Sequence, residues 1–118
     1  MNTRNFIRVN YAVGASISFG SQVAICTTSN LSLRGMYLRT GFAVPVNVPV
    51  NITVYHSDRS SFKVNAKVVR QGDQGIGIQI TGLNVESFVR LRDLVAQQSH
   101  EEGIVLRETF KMLKYIDN

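Results

Sequence analysis

Apolar residues at every second position run through the middle of this 118-residue chain, and that period leaves little choice of fold. Phe62, Val64, Ala66 and Val68 alternate with Ser61, Lys63, Asn65 and Lys67. Val50, Ile52 and Val54 alternate with Asn51, Thr53 and Tyr55, and Ile76, Ile78 and Ile80 with Gly77, Gln79 and Thr81. Successive side chains of an extended strand point to opposite faces, so each run predicts a strand with one buried and one wet face. Three shorter strands are expected before them, over residues 13–19, 23–28 and 36–39. Gly20-Ser21 turns the first into the second, and residues 71–75 turn the fifth into the sixth. Pro45 and Pro49 mark residues 40–49 as a non-strand connection, since proline cannot donate to a ladder. Six short strands at these spacings predict an antiparallel sheet closed into a small barrel, because closure removes unpaired edges.

After Gly82 the period lengthens. Val85, Phe88, Val89, Leu91, Leu94 and Val95 follow a helical stripe, with Asn84 available as N-cap and Glu86 in the first turn, which predicts a helix over 85–98. A second helical stretch follows Gly103, with Val105, Thr109, Met112 and Ile116 on one side and Leu106, Phe110 and Leu113 beside them. Its apolar side is expected to pack on the barrel. The expected fold is all-β with C-terminal helices: a six-stranded antiparallel β-barrel followed by one or two α-helices. A chain of this length suits one domain. Residues 1–9 would form an N-terminal arm, 10–82 the barrel and 83–118 the C-terminal helical segment.

Charge enters where partners are concerned. The net charge of +5 implies attraction to anions, and nine arginines against four lysines favour planar, bidentate recognition of phosphate or guanine edges. Cys26 is the single cysteine, so no internal disulfide or multi-cysteine metal site is expected, and a buried small hydrophobe is the natural reading. His56 and His100 have no Glu, Asp or Cys at a metal-ligand or catalytic spacing, and both read as solvated or locally bonded. Gly72, Gly75 and Gly77 lie between two strands and read as hairpin glycines, not as a dinucleotide fingerprint. No enzyme, no metal and no cofactor are expected. Lacking a leader-like apolar segment and any apolar run of about 20 residues, the chain is expected to be soluble, cytoplasmic and without a membrane span.

Two patterns remain. Arg4-Asn5-Phe6-Ile7-Arg8 sets two guanidinium groups four residues apart just before the first strand, where an arm can wrap an anion. Asn30-Leu31-Ser32-Leu33-Arg34-Gly35 joins the second and third strands. Asn30 offers an amide to a base edge and Ser32 a hydroxyl to a base or phosphate, while Gly35 permits close approach of a flat ring. Alone, the first pattern is equally a solvated basic tail and the second a plain turn of ordinary turn residues.

Together they resemble the PilZ family, whose signature is Arg-x-x-x-Arg at the head of the barrel followed some twenty residues later by Asp-or-Asn-x-Ser-x-x-Gly. The likeness extends to Gly35-Met36-Tyr37-Leu38 and to Val68-Val69-Arg70 followed by residues 75–80. The resemblance implies a barrel whose outer surface and N-terminal arm hold cyclic diguanylate (c-di-GMP). Arg4 and Arg8 would clamp guanine and phosphate, and Asn30, Ser32 and Gly35 would receive a guanine base. Arg34 and Arg70 could add phosphate contacts. Asn30 stands where the family more often has Asp, so a donor is presented as well as an acceptor. With no output domain in 118 residues, an unidentified downstream protein is implied as the regulated partner. Two other readings are a PilZ-like interaction module without ligand binding and a basic barrel binding RNA or single-stranded DNA. The nucleic-acid reading finds Tyr11, Tyr37 and Tyr55 but no aromatic cluster on one strand face, and it leaves Asn30, Ser32 and Gly35 unexplained.

Overall fold

The computed structural model of the chain describes residues 6–117. The strands are β1 (Val9–Asn10), β2 (Gly14–Phe19), β3 (Gln22–Leu31), β4 (Gly35–Arg39), β5 (Pro49–Ser57), β6 (Ser60–Gln71) and β7 (Gly75–Asn84). Helices α1 (Val85–Ser99) and α2 (Glu102–Met112) follow, then a 3-10 turn (Leu113–Tyr115) and β8 (Ile116–Asp117). Every residue of the alternating stripes on β5, β6 and β7 faces the core: Val50, Ile52 and Val54, Phe62 to Val68 by twos, Ile76, Ile78 and Ile80 are buried.

Strands β3, β2, β5, β6, β7 and β4 pair antiparallel in that order, and β4 pairs back onto β3, closing a six-stranded barrel. Two short strands were not expected. β1 pairs with the end of β3 beyond β2, Val9 opposite Leu31 and Asn10 opposite Asn30. β8 runs parallel to β7, Leu83 opposite Ile116. Pairing on both sides is also why β3 runs to Leu31, so that Asn30 lies on a strand and only residues 32–34 turn.

Of the four register shifts among the described strands, two reset the alternation of inside and outside where β3 meets β4 and where β6 meets the start of β7. On β3, Thr28 pairs with Leu38 and Asn30 with Tyr37, leaving Ser29 extra. On β6, Val68 pairs with Ile78 and Arg70 with Gly77, leaving Val69 extra. Strict period 2 would turn Asn30 and Arg70 to the same side as buried Thr28 and Val68; one inserted residue turns each outward.

Helix α1 starts as expected: Asn84 Oδ1 accepts the Ser87 N–H at 2.8 Å. Phe88, Leu91, Leu94 and Val95 are buried, and Ser87 Oγ accepts the Lys63 N–H at 3.1 Å, joining the helix to β6. Arg90 is half-buried and donates to the Ser61 carbonyl at 2.7 Å while pairing with Glu86. The second helix turns Val105, Glu108 and Met112 inward. Leu106, Phe110 and Leu113 stay outside, 58%, 67% and 57% exposed, so only one of the two apolar stripes after Gly103 packs. Cys26 is buried, and burial pushes its thiol up to about 11, leaving it a hydrophobe rather than a nucleophile. His56 departs from expectation: its ring lies against Phe62, its Nε2 is buried without a partner, and burial followed by the nearby Arg90 charge lowers its pKa.

Candidate functional site

The two re-aimed residues meet on the outer wall of the barrel. Arg8, Asn30, Tyr37, Val69, Arg70 and Gly77 line an open pocket of about 330 Å³. Arg8 reaches it because β1 ends the arm against β3: with Val9 and Asn10 held, the Arg8 guanidinium donates from Nη1 to Asn30 Oδ1 at 2.7 Å. On the other side the Arg70 guanidinium stands over the Tyr37 ring, 5.5 Å from its centroid. Gly77 lies between them, where a Cβ would sit 3.6 Å from Arg70 Cβ and 3.9 Å from the Tyr37 ring. Among the described residues two guanidinium groups and no carboxylate line this pocket, so its field favours an anion.

Ser32 and Gly35 are not among the pocket's lining residues; they shape the turn between β3 and β4. Ser32 is buried, accepts the Arg34 and Gly35 N–H groups at 3.2 and 3.1 Å, and donates to the Gly35 carbonyl at 3.2 Å. A Cβ on Gly35 would stand 2.5 Å from the Ile78 carbonyl oxygen, so only glycine lets β4 approach β7 there. Arg34 goes elsewhere. Its Nε donates to the Ile80 carbonyl at 3.0 Å and its guanidinium stacks 4.0 Å from the centre of the Tyr115 ring. There it lines a second hollow, of about 460 Å³, with Phe6, Lys111, Lys114 and Tyr115. Of the residues singled out from sequence, Arg8, Asn30 and Arg70 come together, Ser32 and Gly35 shape the turn, Arg34 faces away, and Arg4 lies outside the described residues.

Two residues outside the expected ligand set belong to this region. Tyr37 forms the platform under Arg70, and its signal was its place opposite Asn30 once β3 and β4 pair. Glu108 holds the arm: its Oε2 accepts the Ile7 N–H at 2.8 Å. Burial raises the Glu108 pKa, against the lowering effects of that hydrogen bond and of the Lys111 charge. A glutamate in register with Val105 and Met112 on the inward face of a helix was the available sign.

A family model for the PilZ domain matches residues 2–97. The chain belongs to the PilZ domain family. Solved PilZ structures agree in fold. The PilZ domain of CeSA from a cellulose-synthesizing bacterium is 19% identical, covering 80% of this chain and 99% of that one, with a TM-score of 0.65. The PilZ domain of YcgR from Escherichia coli, solved with c-di-GMP, is 13% identical over 95% of this chain and all of that one (100%), with a TM-score of 0.68. The motility inhibitor MotI (DgrA) of Bacillus subtilis is 10% identical over 86% of this chain and 53% of that one, with a TM-score of 0.71. No curated protein matches. PilZ domains are binding and adaptor modules rather than enzymes. Among the described residues no cluster of His, Cys, Asp and Glu could hold a metal ion, and no helix is long and apolar enough to cross a membrane.

Proposed function

We propose that this PilZ domain is a cytoplasmic receptor for c-di-GMP, and that ligand binding changes how its N-terminal arm, residues 1–9, sits on the barrel and so regulates a partner protein. The observation that carries this reading is the meeting of Arg8, Asn30, Arg70 and Tyr37 around one pocket with no carboxylate among its described lining residues. A guanidinium can bond guanine O6 and N7 as a fork, pair with a phosphate or lie flat on a base, so Arg8 and Arg70 suit a ligand carrying both guanine and phosphate. Asn30 adds an amide that accepts and donates. Ser32 and Gly35 contribute by holding the turn that brings β4, with Tyr37, back beside Asn30.

The Arg8–Asn30 hydrogen bond holds both side chains at the pocket rim, and a guanine base that engages either must exchange that bond for its own. Moving Arg8 pulls on Ile7, whose amide is held by Glu108, so the arm connects the ligand pocket to helix α2. Binding is the whole biochemical activity in this reading.

Calorimetric titration of the purified chain with c-di-GMP tests it, with GTP, cyclic diadenylate and a short RNA as controls. Selective binding is expected, and Arg8→Ala should weaken it at least about 10-fold, or roughly 1.4 kcal/mol. Well-folded protein that takes no heat from c-di-GMP, or binds RNA with a steep salt dependence and no nucleotide selectivity, would falsify the receptor reading.

A further inference from the structure

Helix α2 and the 3-10 turn after it present three different faces. Val105, Glu108 and Met112 pack inward. Leu106, Phe110 and Leu113 recur at the i, i+4, i+7 spacing of one helix side, and all three are more than half exposed. Arg107, Lys111 and Lys114 each follow one of these by one residue and so form a cationic rim along one edge of the apolar ridge. Lys111 and Lys114 also line the second hollow with Arg34, Phe6 and Tyr115. Among the described residues that line it are three cations and two aromatic rings, and no carboxylate.

We infer that this ridge and hollow form the docking surface for an acidic amphipathic segment of a partner protein, its apolar side chains seated on Leu106, Phe110 and Leu113 and its carboxylates directed to Arg34, Lys111 and Lys114. The inference deepens the adaptor part of the proposed function and rests on it. Single exposed apolar residues are ordinary on a protein surface, but three in helical register beside a one-sign rim are the pattern of a recognition face. Charge selects the occupant. A second copy of this chain would bring a net charge of +5 to a surface already rich in cations; of the acids around the ridge, Glu108 is buried and holds the Ile7 amide, Glu101 and Glu102 lie at the far end of the helix, and Asp117 follows the turn. An acidic segment brings the complement, which speeds encounter and fixes orientation. The surface is also connected to the messenger pocket, because Glu108 on the same helix holds the Ile7 amide beside Arg8.

The test uses the full chain and two synthetic 18-residue helical peptides, both with leucines at i, i+4 and i+7, one flanked by glutamates and the other by lysines. Binding is read by fluorescence anisotropy and mapped by amide chemical shifts. The glutamate peptide should bind and shift the amides of α2 and the turn after it, the lysine peptide should not, and Phe110→Ser or Lys114→Glu should each weaken binding about 10-fold while c-di-GMP affinity stays within about 2-fold. Equal binding of both peptides, shifts mapping elsewhere, or no binding overturns the inference. So does concentration-dependent dimerisation abolished by Phe110→Ser, which makes a second copy the occupant, or binding to phosphatidylglycerol vesicles in place of the peptide. Peptide binding without any response to c-di-GMP would leave the docking surface standing and remove the receptor reading instead.

Discussion

The arm of this PilZ domain runs between two hollows of similar make-up and different capability. Arg8 lines one with Arg70 and Tyr37, and Phe6, two residues earlier, lines the other with Arg34 and Tyr115. Each pairs a tyrosine ring with an arginine, 5.5 Å apart in the first and 4.0 Å in the second. The first adds Asn30, an amide that can donate and accept, and Gly77 between Arg70 and Tyr37. The second adds only two lysines, which attract charge without reading shape. Net positive charge is therefore shared between the two hollows, while the neutral amide placed by the backbone lies in the first.

The largest effect is expected at the turn between the two. Gly35→Ala drives a methyl against the Ile78 carbonyl where β4 meets β7, and should cost about 3 kcal/mol of unfolding free energy in urea titration. A loss of only a few tenths would mean that the strands can part there freely. Next comes the contrast of the arginines. Arg70→Ala should weaken c-di-GMP binding about 10-fold, and Arg34→Ala, which changes the other hollow, less than about 2-fold. Equal effects would show that the ligand spans both hollows.

The connection between them is sharpened through Glu108. A carboxyl whose folded pKa is raised binds its proton more tightly in the folded chain than in the unfolded one. Its contribution is fully present below the unfolded pKa and is lost as the pH rises through the folded value. Urea midpoints should accordingly decline as pH climbs above the ordinary carboxylate range, and Glu108→Gln should flatten that decline. A slope unchanged in the variant would assign the pH dependence to other groups. The smallest effect is expected from Tyr37→Phe, which keeps the ring under Arg70 and should change c-di-GMP affinity by less than about 2-fold; a larger loss would give the hydroxyl a direct part in binding.

Much of the barrel was legible because burial and period coincide there. Val50, Ile52 and Val54 have no other way to hide together, and the same holds for the stripes of β6 and β7. Helix α1 was equally plain, from its stripe and from Asn84 at its head. The short strands β1 and β8 were not, since two residues carry no period and owe their conformation to the edges they meet. The candidate site was legible as a motif and not as geometry. Asn30-x-Ser-x-x-Gly reads as one binding loop, yet the chain uses Ser32 and Gly35 to shape a turn, Asn30 to face the pocket and Arg34 to face away.

By itself, then, the sequence determined the barrel, its helices, the excess of arginine and the residue types available to an anionic ligand, because all of these follow from local period and composition. Tertiary structure alone decided which of those residues share a pocket. The bulges at Ser29 and Val69 exist only as mismatches between paired strands, and each rotates the next side chain by half a pleat period. Neither mismatch is written in the strand that carries it, and both are needed to bring Asn30 and Arg70 to the same outer wall.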